Sequence, residues 1–213
     1  DLVVLPEMFS TGFSMSSAAL AESMEGPTVK WMLEKARSLN AVVCGSVIIE
    51  DQGRYFNRFV WMPPSGEIQH YDKRHLFRMS TEDDHYSSGG NRQIMEINGF
   101  RVCPQICYDL RFPVFSRNDE SYDILLYVAN WPAARRDHWQ SLLKARAIEN
   151  LSFVVGVNRI GVDGKNIEYA GDSVIRDYNG TALVDMASDD AVETITLDRL
   201  SLVEYRNSFP AHL

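Results

Sequence analysis

Three side chains in this sequence sit where covalent chemistry could be done, each beside the end of an apolar run. Cys107 follows Pro104-Gln105-Ile106 and precedes Tyr108-Asp109-Leu110-Arg111. Where a strand gives way to a helix, a sulfur projects at a sharp turn with the next backbone N–H groups pointing the same way. That setting is expected to lower a thiol pKa and to offer an oxyanion site. A small buried hydrophobe is the commoner fate of a free cysteine, and it is the reading for Cys44 and Cys103, which lie inside apolar runs. A thiol of ordinary pKa, about 8.5, is mostly protonated at neutral pH and needs a base. His70, His75, His85, His138 and His212 occur in no cysteine-protease or amidotransferase signature and lack HExxH or other ligand spacing, so metal-assisted hydrolysis is not expected. Glu7, between Pro6 and Met8-Phe9, is the other candidate base: a partly desolvated carboxylate suits proton abstraction, whereas an exposed turn glutamate would do nothing. Lys73, in Tyr71-Asp72-Lys73-Arg74-His75, is either a surface lysine or an ammonium held to neutralise a developing oxyanion.

The elements around these residues have to place them. Leu2 to Leu5 reads as a strand buried on both faces that stops at Pro6. Gly26-Pro27 opens a helix with Val29, Met32, Leu33, Ala36 and Leu39 on one face. Strands follow at residues 41–49 and 55–62 around Asp51-Gln52-Gly53, then at 67–71. Residues 72–92 are polar and aperiodic, as a functional loop would be. Asn98-Gly99 marks a hairpin whose second strand delivers Cys107. A short helix is expected over 110–117, a buried strand over 123–129 and a helix over 137–150. Further strands are expected at 151–158, 169–176, 181–186 and 191–196. Adjacent hairpins exclude a strictly alternating parallel sheet. Two mixed sheets packed face to face with helices outside give a four-layer α-β-β-α sandwich, an α/β fold, formed by residues 1–213 as a single domain.

Composition narrows the partners. The formal charge of -8, from 21 Lys+Arg against 29 Asp+Glu, gives no basic stripe for a nucleic acid or an acidic lipid surface. No apolar run is long enough for a membrane helix. Three cysteines without a CxxC fit neither a zinc ribbon nor a disulfide scaffold and suggest a reducing, cytoplasmic setting.

Taken in order, Leu5-Pro6-Glu7, Tyr71-Asp72-Lys73-Arg74-His75-Leu76 and Ile106-Cys107-Tyr108-Asp109-Leu110-Arg111 resemble the signatures of the nitrilase (carbon-nitrogen hydrolase) superfamily. The segment Trp139 to Asn150 is similar to its RAxEN helix. The resemblance implies a triad of Glu7, Lys73 and Cys107 that hydrolyses an amide through a thioester, with the Tyr108 backbone N–H sharing the oxyanion and no cofactor or metal. It also implies a positioning or proton-relay role for Glu82, seven residues before Gly89. Leu5 to Phe13 and the Met79 to Tyr86 loop are similar to the bacterial omega-amidase branch, which implies a small carboxylate-bearing amide of the 2-oxoglutaramate or 2-oxosuccinamate type. Such a pocket needs a cation and an aromatic wall: Arg135 or Arg136, after Asn130-Trp131-Pro132, with Trp131 and Phe9, are the candidates. An N-carbamoyl or deaminated-glutathione-type amide is the alternative substrate, and an idle binding module the alternative class. The resemblance further implies a homo-oligomer, a dimer or higher, with residues 108–115 and 200–209 as the surfaces to inspect. It implies one more strand and helix before Leu2.

Overall fold

The computed structural model describes residues 1–119 and 121–211. His212, one of the candidate bases, lies outside the described residues.

The first strand, β1 (Leu2–Val4), runs parallel to β2 (Val42–Asp51), with Leu2 opposite Val42 and Val4 opposite Cys44. A parallel pair requires a long crossover. The helix Pro27–Leu39 supplies it, with Pro27 in its first turn and Asn40 ending it in the left-handed conformation at φ 48°. β2 turns through Gln52 (φ 52°) and Gly53 (φ 75°) into antiparallel β3 (Arg54–Met62), which pairs in turn with β4 (Gln69–Asp72). The sheet order is β1-β2-β3-β4.

The second sheet is built around three parallel strands, β6 (Phe100–Ile106), β7 (Ile124–Ala129) and β8 (Phe153–Asn158). Antiparallel β5 (Met95–Ile97) flanks one side, joined to β6 by the expected turn at Asn98 (φ 50°) and Gly99 (φ 81°). β11 (Val174–Arg176) and β12 (Ala182–Asp185) flank the other. The helix Arg136–Asn150 crosses from β7 to β8 and presses Trp139, Leu143 and Ala147 onto Leu125, Tyr127 and Val154. Gly156 makes that approach possible, because a Cβ there would sit 2.6 Å from the Leu143 Cδ1.

Side-chain alternation sorts each strand between layers. On β3, Val60 and Met62 join Val29, Met32 and Ala36 of the helix Pro27–Leu39, while Phe59 and Trp61 face the other sheet. There they meet Val102, Ile106, Leu126 and Val128. Helix on sheet, sheet on sheet and sheet on helix account for three apolar layers, the four-layer sandwich of two mixed sheets. A two-stranded ribbon, β9 (Ile160–Val162) with β10 (Glu168–Ala170), is added at the rim.

The expected elements differ from this in three places. The strand over 169–176 is broken into β10 and β11, because Gly171 (φ 75°) and Asp172 (φ 52°) turn the chain between them. Residues 110–117 form no continuous helix but a 3-10 turn, Cys107–Arg111, and a single α-turn, Pro113–Ser116, restarted by proline. Residues 191–196 carry a strand-like pattern yet pair with no described strand; 191–195 instead line, with residues 2–5, a trough of about 750 Å³. The expected interface surface at 200–209 is a helix, Arg199–Ser208, that buries Leu202 in the inter-sheet core and exposes Leu200, with Phe209 exposed just past its end.

Candidate active site

Glu7, Lys73 and Cys107 come together because each lies just beyond the end of a strand, on the same side of the sandwich. Leu5 continues the β1 ladder through its N–H to the Cys44 carbonyl at 2.7 Å; then Pro6 ends it and Met8 turns left-handed at φ 42°. The Met8 N–H donates to the Ser46 hydroxyl at 2.8 Å, which fixes the turn with Glu7 directed inward. Lys73 is the residue after β4. Its N–H donates to the Asn57 carbonyl at 3.0 Å, and its carbonyl accepts from the Gly89 N–H at 2.9 Å. Gly89 packs so closely on the Asp72 backbone that a Cβ would lie 2.0 Å from the Asp72 oxygen. Asp72 itself is clamped by the buried Arg58 guanidinium, at 2.7 and 2.9 Å. Cys107 is the residue after β6, with φ 46°, a conformation strained for anything but glycine. Tyr108 is the second residue of the 3-10 turn, so its N–H precedes the first acceptor that turn can supply.

The charged groups form one buried network. The Lys73 ammonium donates to Glu7 Oε1 at 2.9 Å and to both Glu82 oxygens at 3.0 Å. All three residues are almost wholly buried. Glu7 Oε1 also accepts from Asn57 Nδ2 at 2.7 Å, and Glu7 Oε2 from the Asn130 N–H at 2.8 Å. Glu82 accepts from the Phe77 N–H at 2.6 Å and from Asn57 Nδ2 at 3.3 Å. Burial alone would lower the Lys73 pKa, but the facing Glu7 and Glu82 carboxylates outweigh it and hold the ammonium above the ordinary lysine value. Burial pushes the Glu82 carboxyl up, with Lys73 opposing and Glu7 adding to the rise. The thiol corrects an expectation: burial first, then Glu7, push the Cys107 pKa well above the ordinary value, and Lys73 offsets this only in part. Burial and the Glu7 carboxylate together outweigh the Lys73 ammonium, so the strand-end position does not lower the thiol pKa.

A third buried carboxylate joins the lysine loop to the cysteine turn. Asp109 accepts from the Tyr71 hydroxyl at 2.7 Å, the Ile106 N–H at 3.0 Å and the His75 N–H at 2.9 Å, and contacts His75 Nδ1 at 2.7 Å. The Tyr71 hydroxyl accepts in turn from the Arg74 N–H at 3.0 Å. His75 therefore braces the site and stacks on Phe112, 3.6 Å between ring centroids.

Cys107, Lys73, Tyr108 and Asn130 line a cavity of about 120 Å³. Phe13, Phe77, Trp131 and Tyr169 wall it, and Arg111, Arg135 and Lys165 reach its rim. Among the described residues, neither arginine has a carboxylate within ion-pair distance. Arg111 lies over the Trp131 ring and contacts His138 Nδ1 at 2.8 Å, and Arg135 lies over the Phe77 ring. Two expected substrate contacts are not here. Phe9 lies beyond the Met8 turn and packs against Trp31 of the helix Pro27–Leu39. Arg136 is held by Asp172 at 2.6 Å. The polar residues not anticipated are Asn57, Asn130, Arg111 and Asp109; an asparagine and an arginine side by side inside the aromatic run 55–61 were the available signal for the first. Among the described residues no group of three His, Cys, Asp or Glu could hold a metal ion. Cys44 and Cys103 are fully buried.

A thiol beside a carboxylate, an ammonium and a free N–H is suited to nucleophilic attack on a carbonyl with general-base assistance. A family profile described as carbon-nitrogen hydrolase matches residues 1–207. The chain is 47% identical over 215 residues to omega-amidase YafV of Escherichia coli (strain K12), covering 99% of this chain and 82% of that protein. It is 33% identical to the 2-oxoglutaramate amidase of Bacillus subtilis (strain 168), covering 99% and 83%. XC1258 of Xanthomonas campestris, a CN-hydrolase superfamily protein whose crystal structure has an arsenic adduct in the active site, superposes with a TM-score of 0.97 at 48% identity, over 100% of this chain and 83% of that one.

Proposed function

The chain belongs to the carbon-nitrogen hydrolase family and hydrolyses amides, and from that premise we propose that its substrate is a short linear amide with a carboxylate at the far end, of the 2-oxoglutaramate or 2-oxosuccinamate type. The observation that carries the reading is the small cavity lined by the Cys107 thiol and the Lys73 ammonium, with the Glu7 carboxylate bonded to that ammonium at 2.9 Å, and with Arg111 and Arg135 in its lining, neither held by a carboxylate among the described residues. Arg135 or Arg111 would pair with the substrate carboxylate and place the amide carbon at Cys107, and the aromatic walls exclude bulky acyl groups.

Because burial and the Glu7 carboxylate hold the thiol pKa above its ordinary value, attack and proton transfer go together. Glu7 takes the Cys107 proton as the sulfur bonds to the amide carbon. The oxyanion is stabilised by the Lys73 charge and the Tyr108 N–H. Lys73 holds Glu82 through two contacts and can turn one N–H to the oxyanion while keeping the ion pair. Glu7 then protonates the nitrogen, the C–N bond breaks and ammonia leaves a thioester. A water attacks that carbonyl as Glu7 takes its proton, and the sulfur departs and recovers a proton from Glu7. Glu82 serves by holding Lys73 charged and in place.

An idle binding module has no need for a strained cysteine φ and a buried charge network at the same point. The three cysteines, none of them in a disulfide, agree with a cytoplasmic enzyme, and the exposed Val114, Leu200 and Phe209 with a homo-oligomer. The test measures ammonia released from 2-oxoglutaramate and from an N-carbamoyl amino acid, and 2-oxoglutarate released from deaminated glutathione. 2-Oxoglutaramate is expected to give a kcat/KM at least tenfold above the others, and Cys107→Ala and Cys107→Ser to abolish release. Turnover surviving in Cys107→Ala refutes the mechanism; a preferred N-carbamoyl substrate refutes the substrate class.

A further inference from the structure

Asn57 touches every member of the buried charge network. Its Nδ2 donates to Glu7 Oε1 at 2.7 Å and to Glu82 Oε1 at 3.3 Å, and its backbone carbonyl accepts from the Lys73 N–H at 3.0 Å. It is fully buried at the middle of the site. The other end of the same amide, Oδ1, is buried with no hydrogen-bond partner. A buried asparagine retained for packing alone would satisfy both ends, since an orphaned carbonyl carries a desolvation penalty. Here only the donor end is used, and both its protons go to carboxylates. Two like charges that share one ammonium also repel each other, and the Asn57 amide lies between their Oε1 atoms.

We infer that Asn57 is a positioning residue for the hydrolytic step: its amide holds the Glu7 carboxylate aimed at Cys107 and keeps Glu82 from displacing it on Lys73. The inference rests on the proposed role of Glu7 as base. Its consequence follows from the direction of hydrogen-bond effects. A donor to a carboxylate favours the charged form, so removing it raises that group's pKa, and a base that must be ionised then becomes active only at higher pH. The other titratable or charged groups facing the Glu7–Glu82 pair are Lys73, the Cys107 thiol and the Tyr86 and Tyr169 phenols. Burial pushes both phenols above the ordinary tyrosine value, so neither can supply an acid limb. The neighbouring Arg58 is turned away to Asp51 and Asp72.

The experiment uses two readouts on the intact protein: the pH profile of kcat/KM for 2-oxoglutaramate, and the pH profile of Cys107 alkylation by iodoacetamide, mapped by mass spectrometry. In Asn57→Leu the acid limb of both profiles is expected to move up by about one pH unit or more, with kcat falling and KM within about threefold of wild type. Asn57→Ser, which keeps one small donor, is expected to recover part of the shift. Should Asn57→Leu fail to fold, Asn57→Ser carries the test. Acid limbs that coincide with wild type in the folded variants overturn the inference, as does a loss confined to KM. If wild type releases ammonia from no amide offered while alkylation of Cys107 still depends on Asn57 in this way, the substrate reading falls and the assignment of Asn57 is supported.

Discussion

Replacing Lys73 by methionine, close to it in shape but without charge, tests the network at its centre. Glu7 and Glu82 are almost wholly buried, and Lys73 is the cation bonded to both, at 2.9 and 3.0 Å. Without it, two carboxylates remain joined only through the Asn57 amide, and one of them must hold a proton. Its folded pKa then lies above the unfolded value of about 4.3. Below that value both states are protonated and nothing is lost. As pH rises, the unfolded chain releases its proton while the folded one retains it, so the stability of the variant falls by about 1.4 kcal/mol per pH unit until the folded pKa is reached. A rise of about three units amounts to about 4 kcal/mol, within the roughly 3–5 kcal/mol expected for removing one partner of a buried ion pair. The wild-type Glu82, also raised by burial, loses less over the same window because Lys73 opposes the rise. Urea denaturation of both proteins, followed by tryptophan fluorescence at intervals from pH 4.5 to 7.5, should show the gap between them widening by about 3–4 kcal/mol, with ammonia release absent in the variant. A gap constant to within about 1 kcal/mol across that range refutes the claim that the two carboxylates depend on the Lys73 charge.

Two further outcomes are expected. Arg135→Gln should raise KM for a carboxylate-bearing amide by roughly 10- to 100-fold, the loss of one charge-assisted hydrogen bond, and leave an uncharged amide of the same length unaffected. Arg136→Gln, which loses only the Asp172 pair, should leave both KM values unchanged, and an equal effect of the two substitutions in steady-state kinetics would refute the placement of the carboxylate. Asp109→Asn places an amide NH2 where two of its hydrogen-bond donors now point and should cost about 2–6 kcal/mol of stability, read as a lowered denaturation midpoint; a loss below about 1 kcal/mol would show that the link between the lysine loop and the cysteine turn carries little.

Much of the site could be read from local pattern, because its main residues sit where apolar runs stop. Proline after Leu5, the polar loop after Tyr71 and the Asn98-Gly99 turn before β6 each fix an end of a strand, and the strand ends place Glu7, Lys73 and Cys107. What stayed hidden depends on residues remote in the chain. Arg135 and Arg136 are neighbours at the start of one helix, and only Asp172, 36 residues on, takes Arg136 out of the pocket. Phe9 and Phe13 are equally aromatic, but the left-handed turn at Met8 directs the first to the helix Pro27–Leu39 and leaves the second over the Lys73 ammonium. The pattern at 191–196 is that of a strand, yet a strand needs a paired neighbour, and no described strand pairs with it. The thiol pKa is expected to fall only when the local turn is considered by itself, without the burial of the sulfur in the folded protein and without Glu7 and Glu82, which come from 100 and 25 residues away.

Glu7 is fastened to both sheets at once, to Asn57 on β3 of the first and to Asn130 just after β7 of the second, while Cys107 follows β6 of that second sheet. The gap across which the proton travels is therefore a dimension of the stacking between sheets, gauged by Phe59, Trp61, Leu126 and Val128 in the layer between them. A close-packed layer of this kind resists compression and shear, and a misplacement of about 1 Å at reacting groups can slow a reaction by roughly a hundredfold. The greasy interior thus serves as the ruler of the enzyme: a substitution there, far from any polar group, alters the rate through geometry well before it unfolds the chain.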